Sequence, residues 1–242
     1  YRYLVKRVEY LASSRHASLN YWYGSYNSLD DAMKVYFANI DRDAAIRAEE
    51  ARRRHKAKFV QNAPPWHLDR IDQNYGMLDN EYKYSQLGSQ VDIYVLDTGI
   101  RVTHQEFEGR AIHLSNTVGD GINTDCAGHG TLVASLAGGR LYGVAKGVNL
   151  WAVKVLDCAG NGDSFTIVTG VMAVNEHVAQ RRQLGYRAVA SLSLGGDPSS
   201  AIDDAMRSLL NNNVTVVVAA GNEMGFACDY SPSRLAGSTL VM

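Results

Sequence analysis

Four nearly continuous apolar runs stand out in the second part of the chain. They lie at residues 91–96, 148–155, 188–194 and 214–220. Runs without polar alternation are typical of strands that are buried on both faces of a parallel sheet. Patterns with a helical period separate them, at residues 129–137, 166–180 and 201–210. Strands that alternate with helices predict an α/β fold, in which a parallel sheet carries helices on both of its faces.

The first sixty residues follow a different pattern. Short strands are predicted at residues 1–8, 35–40 and 58–61. Asp41 stands where an N-cap would precede a helix rich in Ala, Glu and Arg that runs to Arg54. The sequence Ala63-Pro64-Pro65-Trp66 interrupts these patterns, because proline disfavours a helix on either side. We therefore predict a small α+β unit at residues 1–61 and an α/β domain at residues 62–242.

Composition narrows the classes of function. The chain is 46% hydrophobic and 20% charged, which is typical of globular proteins. Its net charge of −1 argues against a dedicated nucleic-acid-binding protein, and no apolar run reaches the roughly 18 residues of a membrane helix. The first 62 residues hold 12 Lys/Arg and 7 Asp/Glu, whereas the remainder holds 12 and 18. Opposite charges suit docking of one segment on the other, although two ordinary solvated surfaces fit equally well.

Three polar residues lie where chemistry is expected in such a fold. Asp97 follows the first run, His129 opens the first helical pattern and Asn222 follows the last run. The carboxyl ends of parallel strands meet at one edge of the sheet, so the three should converge. A buried aspartate can fix the tautomer of a histidine that acts as general base, and an asparagine amide can donate to an oxyanion. Singly each is more often a cap or a turn residue, but together they predict acyl transfer.

The segments around these residues resemble subtilisin-type serine proteases, most closely the proteinase K and aqualysin group. Asp97-Thr98-Gly99 resembles the aspartate motif of the family, and Gly128-His129-Gly130-Thr131 resembles its histidine motif. Further matches lie at residues 142–146, 153–157, 191–196, 219–222 and 230–232, so the resemblance covers residues 63–232. A nucleotide-binding α/β protein is disfavoured, because no glycine-rich turn follows Asp97-Thr98-Gly99.

The resemblance implies a serine endopeptidase that is made as a zymogen and hydrolyses peptide bonds through an Asp-His-Ser triad. In that family His129 would be the general base, Asp97 would orient it and Asn222 would hold the oxyanion. Polypeptide substrate would lie as an extra strand between two edges and over a specificity pocket, in contact with Gly160, Gly162, Ser193, Leu194, Gly195, Ala219, Ala220 and Gly221. Residues 1–61 resemble the family's inhibitory prosegment, which acts as an intramolecular inhibitor.

The third motif of the family, Gly-Thr-Ser-Met-Ala, is absent from these 242 residues. The family order is Asp, His, Ser, so the resemblance implies that the chain is cut before its nucleophilic serine. The sequence also departs from the family at Leu132, where a histidine is usual. The alternative interpretation is a catalytically inactive protein of the same fold with a binding or regulatory role.

The three cysteines are Cys126, Cys158 and Cys228, an odd number that leaves one thiol free or its partner missing. The resemblance implies a disulfide between Cys126 and Cys158 and therefore an extracellular location. Two small buried thiols are the alternative. The resemblance implies no cofactor for catalysis. It allows a structural calcium ion, to which carbonyls near Ala236 and Ser238 would contribute.

Overall fold

The computed structural model of the chain describes residues 57–73, 78–235 and 240–241. The elements that we predict at residues 1–8, 35–40 and 41–54 lie outside these ranges. Lys58–Asp72 and Leu78–Met242 form one compact unit. The division of the chain between residues 61 and 62 therefore stays a prediction.

Two short antiparallel strands open the described chain. Strand β1 (Phe59–Asn62) pairs with β2 (Glu81–Tyr84). The strand that we predict at residues 58–61 is thus present one residue later, with its partner strand in the compact unit that carries the large sheet. Helix α1 (Trp66–Ile71) begins directly after Pro65. The prolines therefore precede a helix, at a place where the sequence pattern indicates only an interruption.

A six-stranded sheet forms the centre of the unit, in the spatial order β4-β5-β3-β6-β7-β8 with every pair parallel. Its strands are β3 (Val91–Asp97), β4 (Ala111–Asn116), β5 (Asn149–Lys154), β6 (Arg187–Leu192), β7 (Thr215–Val218) and β8 (Leu240–Val241). Four of them confirm the four apolar runs. Strand β4 has no such run, because it lies at the edge of the sheet with Ile112 and His113 exposed.

Three longer helices connect these strands. They are α2 (His129–Gly138), α3 (Ser164–Gln183) and α4 (Ser200–Asn211), and three 3-10 helices lie at Gln105–Phe107, Ala227–Asp229 and Ser233–Leu235. Each long helix confirms a predicted one. Helix α3 begins before Thr166 because Asp163 caps it, accepting a hydrogen bond from the Thr166 amide at 2.8 Å. The Thr166 hydroxyl accepts a hydrogen bond from the Asp163 amide at 3.2 Å, which completes a capping box.

The helices cover both faces of the sheet, as predicted. Successive side chains of a strand point to opposite faces. In β3, Tyr94 and Leu96 pack in one core with residues of α3 and α4. Ile93 and Val95 pack in a second core with Ala134 of α2. Helix α2, which carries His129, therefore packs against the strand that ends in Asp97. Within the described ranges, no helix is both long and apolar enough to span a membrane.

Candidate active site

The predicted site residues lie at the carboxyl edge of the central strands. Asp97 is the last residue of β3, residues 193–195 follow β6, and residues 219–222 follow β7. Strands β3, β6 and β7 are neighbours in the sheet, and β5 lies on the other side of β3. The loop after β5 carries residues 160–164 to the same edge. The structure therefore brings the four segments together, as the parallel topology requires.

Asp97 and His129 are in direct contact. The Nδ1 atom of His129 lies 2.8 Å from Oδ1 and 2.9 Å from Oδ2 of Asp97. The carboxylate is fully buried, and its Oδ1 also accepts a hydrogen bond from the Thr98 amide at 2.7 Å. The His129 side chain is 49% exposed, and its Nε2 atom has no hydrogen-bond partner among the described residues. A histidine that donates through Nδ1 presents Nε2 as an acceptor.

The backbone at the start of α2 lies close to the turn after β3, and this close approach explains why residue 130 is a glycine. A β-carbon at Gly130 would lie 2.1 Å from the Gly99 carbonyl oxygen and 3.1 Å from the Asp97 side chain. Any larger residue would force the first turn of α2 away from the end of β3. Gly130 thus permits the distance at which His129 reaches the Asp97 carboxylate.

The two predicted substrate edges are residues 193–195 after β6 and the loop at Gly160 and Gly162 after β5. Ser193, Leu194 and Gly195 form no backbone–backbone hydrogen bond within the described part of the chain, while the next residue, Gly196, exchanges two with Ser231. On the other edge, Gly160 is exposed. Gly162 is exposed as well, and a β-carbon there would lie 2.5 Å from the Val155 carbonyl oxygen, so the absence of a side chain at this position also serves packing.

The segment after β7 ends in Asn222, whose side-chain amide is available for a hydrogen bond. The Ala219 amide continues the sheet by donating to the Leu192 carbonyl at 3.1 Å, and Ala220 and Gly221 follow it towards the exposed Asn222. The side chain of Asn222 makes no hydrogen bond to any residue that the structure describes. Its backbone amide donates to the Glu223 carboxylate at 2.7 Å. Glu223 was not predicted to have a role, although its place directly after the candidate oxyanion donor is visible in the sequence.

The subtilase family model matches residues 88–241, well over half of the chain. The chain belongs to the subtilase family. It is 42% identical over 205 residues to an extracellular serine proteinase of Thermus sp. (strain Rt41A), covering 84% of this chain and 48% of that protein. It is 44% identical over 177 residues to alkaline serine exoprotease A of Vibrio alginolyticus, covering 73% of this chain and 32% of that protein. The chain thus spans half or less of the length of these relatives.

Solved structures give the same fold. A cold-adapted subtilisin-like serine proteinase matches with a TM-score of 0.68 and 38% identity, covering 74% of this chain and 64% of that one. Sphericase matches with a TM-score of 0.60 and 26% identity, covering 75% of this chain and 60% of that one. The α/β fold of this subtilase is therefore that of its relatives.

A buried lysine, Lys154, and a partly buried carboxylate, Asp125, both contact Thr98 beside Asp97. Neither was predicted from the sequence to have a role. Lys154 is buried at the end of β5, and its Nζ atom donates to the carbonyls of Thr98 at 3.1 Å and Leu156 at 2.6 Å. Burial alone would raise the pKa of Asp125. Hydrogen bonds from Thr131, Gly128 and Thr98 outweigh burial and hold the pKa below its ordinary value. The Asp125 carboxylate is therefore ionised at neutral pH. The position of Lys154 inside the apolar run at residues 148–155 could have indicated from the sequence that this lysine is buried.

The structure joins Cys126 and Cys158 in a disulfide, as the resemblance implies, and leaves Cys228 exposed as a free thiol. Cys126, Cys158 and Asp120 are the one group of side chains in the described ranges whose spacing suits a metal ion. Their sulfurs are bonded to each other and calcium prefers oxygen ligands, so the group does not fit calcium. Ala236 and Ser238 lie outside the described residues, and a calcium site there stays a prediction.

We expect the disulfide of this subtilase to contribute measurably to stability. The bond closes a loop across a sequence separation of 32 residues. On the chain-entropy model, replacing both cysteines by serine should lower the free energy of unfolding by about 3–4 kcal/mol. Urea unfolding of the Cys126→Ser/Cys158→Ser variant measures this, with Cys228→Ser as the control that should unfold like the wild type. Free alkylation of both thiols without a reductant would contradict the assignment.

Proposed function

We propose that this subtilase is a serine endopeptidase, made as a zymogen, that hydrolyses peptide bonds in polypeptides through an acyl-enzyme. The observation that carries the proposal is the buried Asp97 carboxylate in contact with Nδ1 of a half-exposed His129, whose Nε2 has no hydrogen-bond partner among the described residues. The names of the relatives support it, since two of them are serine proteases. Because this chain spans only part of their length, the activity is a proposal for the whole protein.

In this mechanism His129 removes the proton of a serine hydroxyl while the oxygen attacks the scissile carbonyl. Asp97 holds the imidazole in the tautomer with Nδ1 protonated and stabilises the imidazolium that forms. The side-chain amide of Asn222 donates a hydrogen bond to the oxyanion of the tetrahedral intermediate. His129 then gives its proton to the leaving amine, and water hydrolyses the acyl-enzyme by the same steps.

We propose that the nucleophilic serine belongs to sequence beyond these 242 residues. No serine hydroxyl among the described residues makes a hydrogen bond to His129. The motif Gly-Thr-Ser-Met-Ala, with which the resemblance identifies the nucleophile, does not occur in the sequence. The 242 residues would thus supply the general base, its aspartate partner and one oxyanion donor.

The substrate would bind in an extended conformation. The backbone groups of Ser193, Leu194 and Gly195 are free to pair with a peptide strand, as in recognition by strand addition. The loop at Gly160 would form the opposite edge. The small residues Ala219, Ala220 and Gly221 would leave room for a substrate side chain beside them.

Labelling with a fluorophosphonate probe tests the function. The natural full-length protein should cleave casein and react at one serine outside residues 1–242, whereas the 242 residues alone should not react. The reaction needs an activated hydroxyl, so His129→Ala should abolish it in the full-length protein. A probe-labelled serine inside residues 1–242 would show that the nucleophile is misassigned. Absence of both labelling and cleavage would favour the non-catalytic alternative.

The N-terminal segment should inhibit the processed enzyme in trans. We propose that residues 1–61 are the prosegment, because they resemble the family's inhibitory prosegment and because the chain up to residue 62 is net positive while the remainder is net negative. A peptide of residues 1–61 should slow peptide hydrolysis by the mature enzyme at micromolar concentration. A scrambled peptide of the same composition is the control: equal inhibition by both peptides would reduce the effect to bulk charge, and no inhibition by either would reject the assignment.

We also propose that the protein is secreted. A relative is an extracellular proteinase, and the disulfide between Cys126 and Cys158 is of the kind that persists in oxidising compartments.

A further inference from the structure

The carboxylate of Asp125 connects the loop before His129 to the first turn of α2. Its Oδ1 atom accepts hydrogen bonds from the amides of Ala127 at 3.0 Å and Gly128 at 2.8 Å. Its Oδ2 atom accepts from the amide of Thr131 at 2.8 Å and from its hydroxyl at 2.6 Å. These donors lie on both sides of His129 in the chain, so one carboxylate fixes the backbone on which the imidazole stands.

The hydroxyl of Thr98 joins this loop to the end of β3. It donates to Oδ1 of Asp125 at 2.8 Å and accepts a hydrogen bond from the Gly130 amide at 3.0 Å. Thr98 is itself buried, directly follows Asp97 and donates its amide to the Asp97 carboxylate at 2.7 Å. The Thr98 hydroxyl thus connects the residue that follows Asp97 to Gly130, the residue that follows His129.

Two more hydrogen bonds hold Thr98 and its neighbours in place. The ammonium group of Lys154 donates to the Thr98 carbonyl at 3.1 Å. The Arg101 amide donates to the Thr131 hydroxyl at 2.9 Å, which gives a second connection between the β3 turn and α2. The network bridges segments that are 32 residues apart in the sequence. Its donors and acceptors are matched, because the Thr98 hydroxyl donates once and accepts once.

We propose that Thr98 and Asp125 are positioning residues that set the geometry between His129 and Asp97. The inference rests on the proposed function, since it concerns the efficiency of the proposed general base. Neither side chain touches the imidazole or the place of the reacting atoms. They act through the backbone of Gly128, Gly130 and Thr131, which fixes where the His129 ring stands over the carboxylate. Misplacement of a catalytic group by about 1 Å can cost on the order of a hundredfold in rate.

The test compares two substitutions of one hydroxyl in the full-length enzyme. Thr98→Val keeps the shape of the side chain but removes the donor and acceptor, whereas Thr98→Ser keeps both. We expect Thr98→Val to lower kcat by about tenfold to a hundredfold with KM changed by less than about twofold. We expect Thr98→Ser to restore kcat to within about threefold of the wild type. The ¹⁵N shifts of the His129 ring should change in Thr98→Val and not in Thr98→Ser.

Controls separate positioning from a general loss of stability. Thr169→Val removes a hydroxyl that donates to the Phe165 carbonyl at 2.7 Å on α3, away from the pair, and should leave kcat unchanged. If Thr98→Val does not fold, Asp125→Asn makes the same test with a side chain of the same size. Its amide nitrogen would face the Thr131 amide in place of an acceptor, so kcat should again fall and the His129 signals should shift.

Three outcomes would overturn the proposal. Thr98→Val could keep full kcat and the wild-type His129 signals, or Asp125→Asn could do so where Thr98→Val does not fold. Thr98→Ser could lose as much kcat as Thr98→Val, which would show that the methyl group rather than the hydroxyl matters. An Asp97→Asn variant measured in parallel separates this proposal from the function itself: full activity of that variant would refute the proposed triad, whereas an inactive Asp97→Asn beside an unimpaired Thr98→Val would refute only the positioning role.

Discussion

Replacing Asp97 by asparagine in the full-length protein should lower kcat for peptide hydrolysis by about 10⁴-fold, the size of loss known for serine proteases including subtilisin itself. Asparagine has the shape of aspartate and fits the buried position without a cavity. Its oxygen would stay at the Oδ1 position, because the Thr98 amide donates there at 2.7 Å. Its NH₂ group would then occupy the Oδ2 position, 2.9 Å from Nδ1 of His129.

Two consequences of that arrangement explain the expected loss. An amide donor beside Nδ1 favours the tautomer in which the proton is on Nε2, so His129 can no longer accept the proton of the nucleophile. The imidazolium that forms in the transition state also loses its buried negative partner. Both effects act on kcat, and KM should change little because neither atom contacts the substrate.

Steady-state kinetics with a peptide substrate measure this prediction, with Asp204→Asn as the matched control. Asp204 is an exposed aspartate on α4 that pairs with Arg207 at 2.7 Å, so its substitution removes the same charge from the surface. We expect that control to keep the wild-type kcat. An Asp97→Asn enzyme within tenfold of the wild type would remove Asp97 from the mechanism.

The sheet was predictable because its causes are local in the sequence, whereas the pairing of Asp97 with His129 was expected from the meeting of strand ends and from the resemblance. Continuous apolar runs mark strands that are buried on both faces, and four such runs became β3, β5, β6 and β7. Parallel strands place their carboxyl ends at one edge, which brings Asp97 near the segment that ends in Asn222. The resemblance added the roles, which local patterns do not give.

Elements with mixed exposure were not predictable in the same way. Strand β4 has an exposed face and a shift in its register with β5 between His113 and Ser115, so it shows neither a continuous run nor a clean alternation. Strand β2 depends on pairing with β1, about twenty residues earlier in the chain. A partner strand supplies the hydrogen bonds that stabilise such short strands, and single-sequence periodicity does not identify the partner.

The hydrogen-bond network of Thr98 and Asp125 was not predictable from the sequence, for a related reason. In the sequence, Asp125 is only the residue before Cys126, and Thr98 is only the middle residue of the aspartate motif. Neither position indicates a hydrogen-bonding role. Their importance comes from the approach of two backbones, which Gly130 permits because no β-carbon separates it from the Gly99 carbonyl. Such an approach is a property of the folded chain, so hydrogen bonds that depend on it appear only in the structure.

Replacing Asn222 by alanine should reduce kcat by about 100-fold to 1,000-fold, the loss that subtilisin shows when it lacks its oxyanion donor. Asn222 is exposed, and its side-chain amide has no hydrogen-bond partner in the described part of the chain, so it is free to donate to a reaction intermediate. The oxyanion exists only in the transition state and the tetrahedral intermediate. Loss of the donor should therefore lower kcat while KM stays within about threefold.

An Asn222→Asp variant distinguishes the donor from the space that the side chain fills. Aspartate has the same shape, but its carboxylate cannot donate and would place a negative charge beside the oxyanion, next to the existing carboxylate of Glu223. We expect Asn222→Asp to lose at least as much kcat as Asn222→Ala, with the folded structure retained. Since the donated hydrogen bond is the only feature that both variants lack, a wild-type kcat in either would show that the oxyanion is held by other groups.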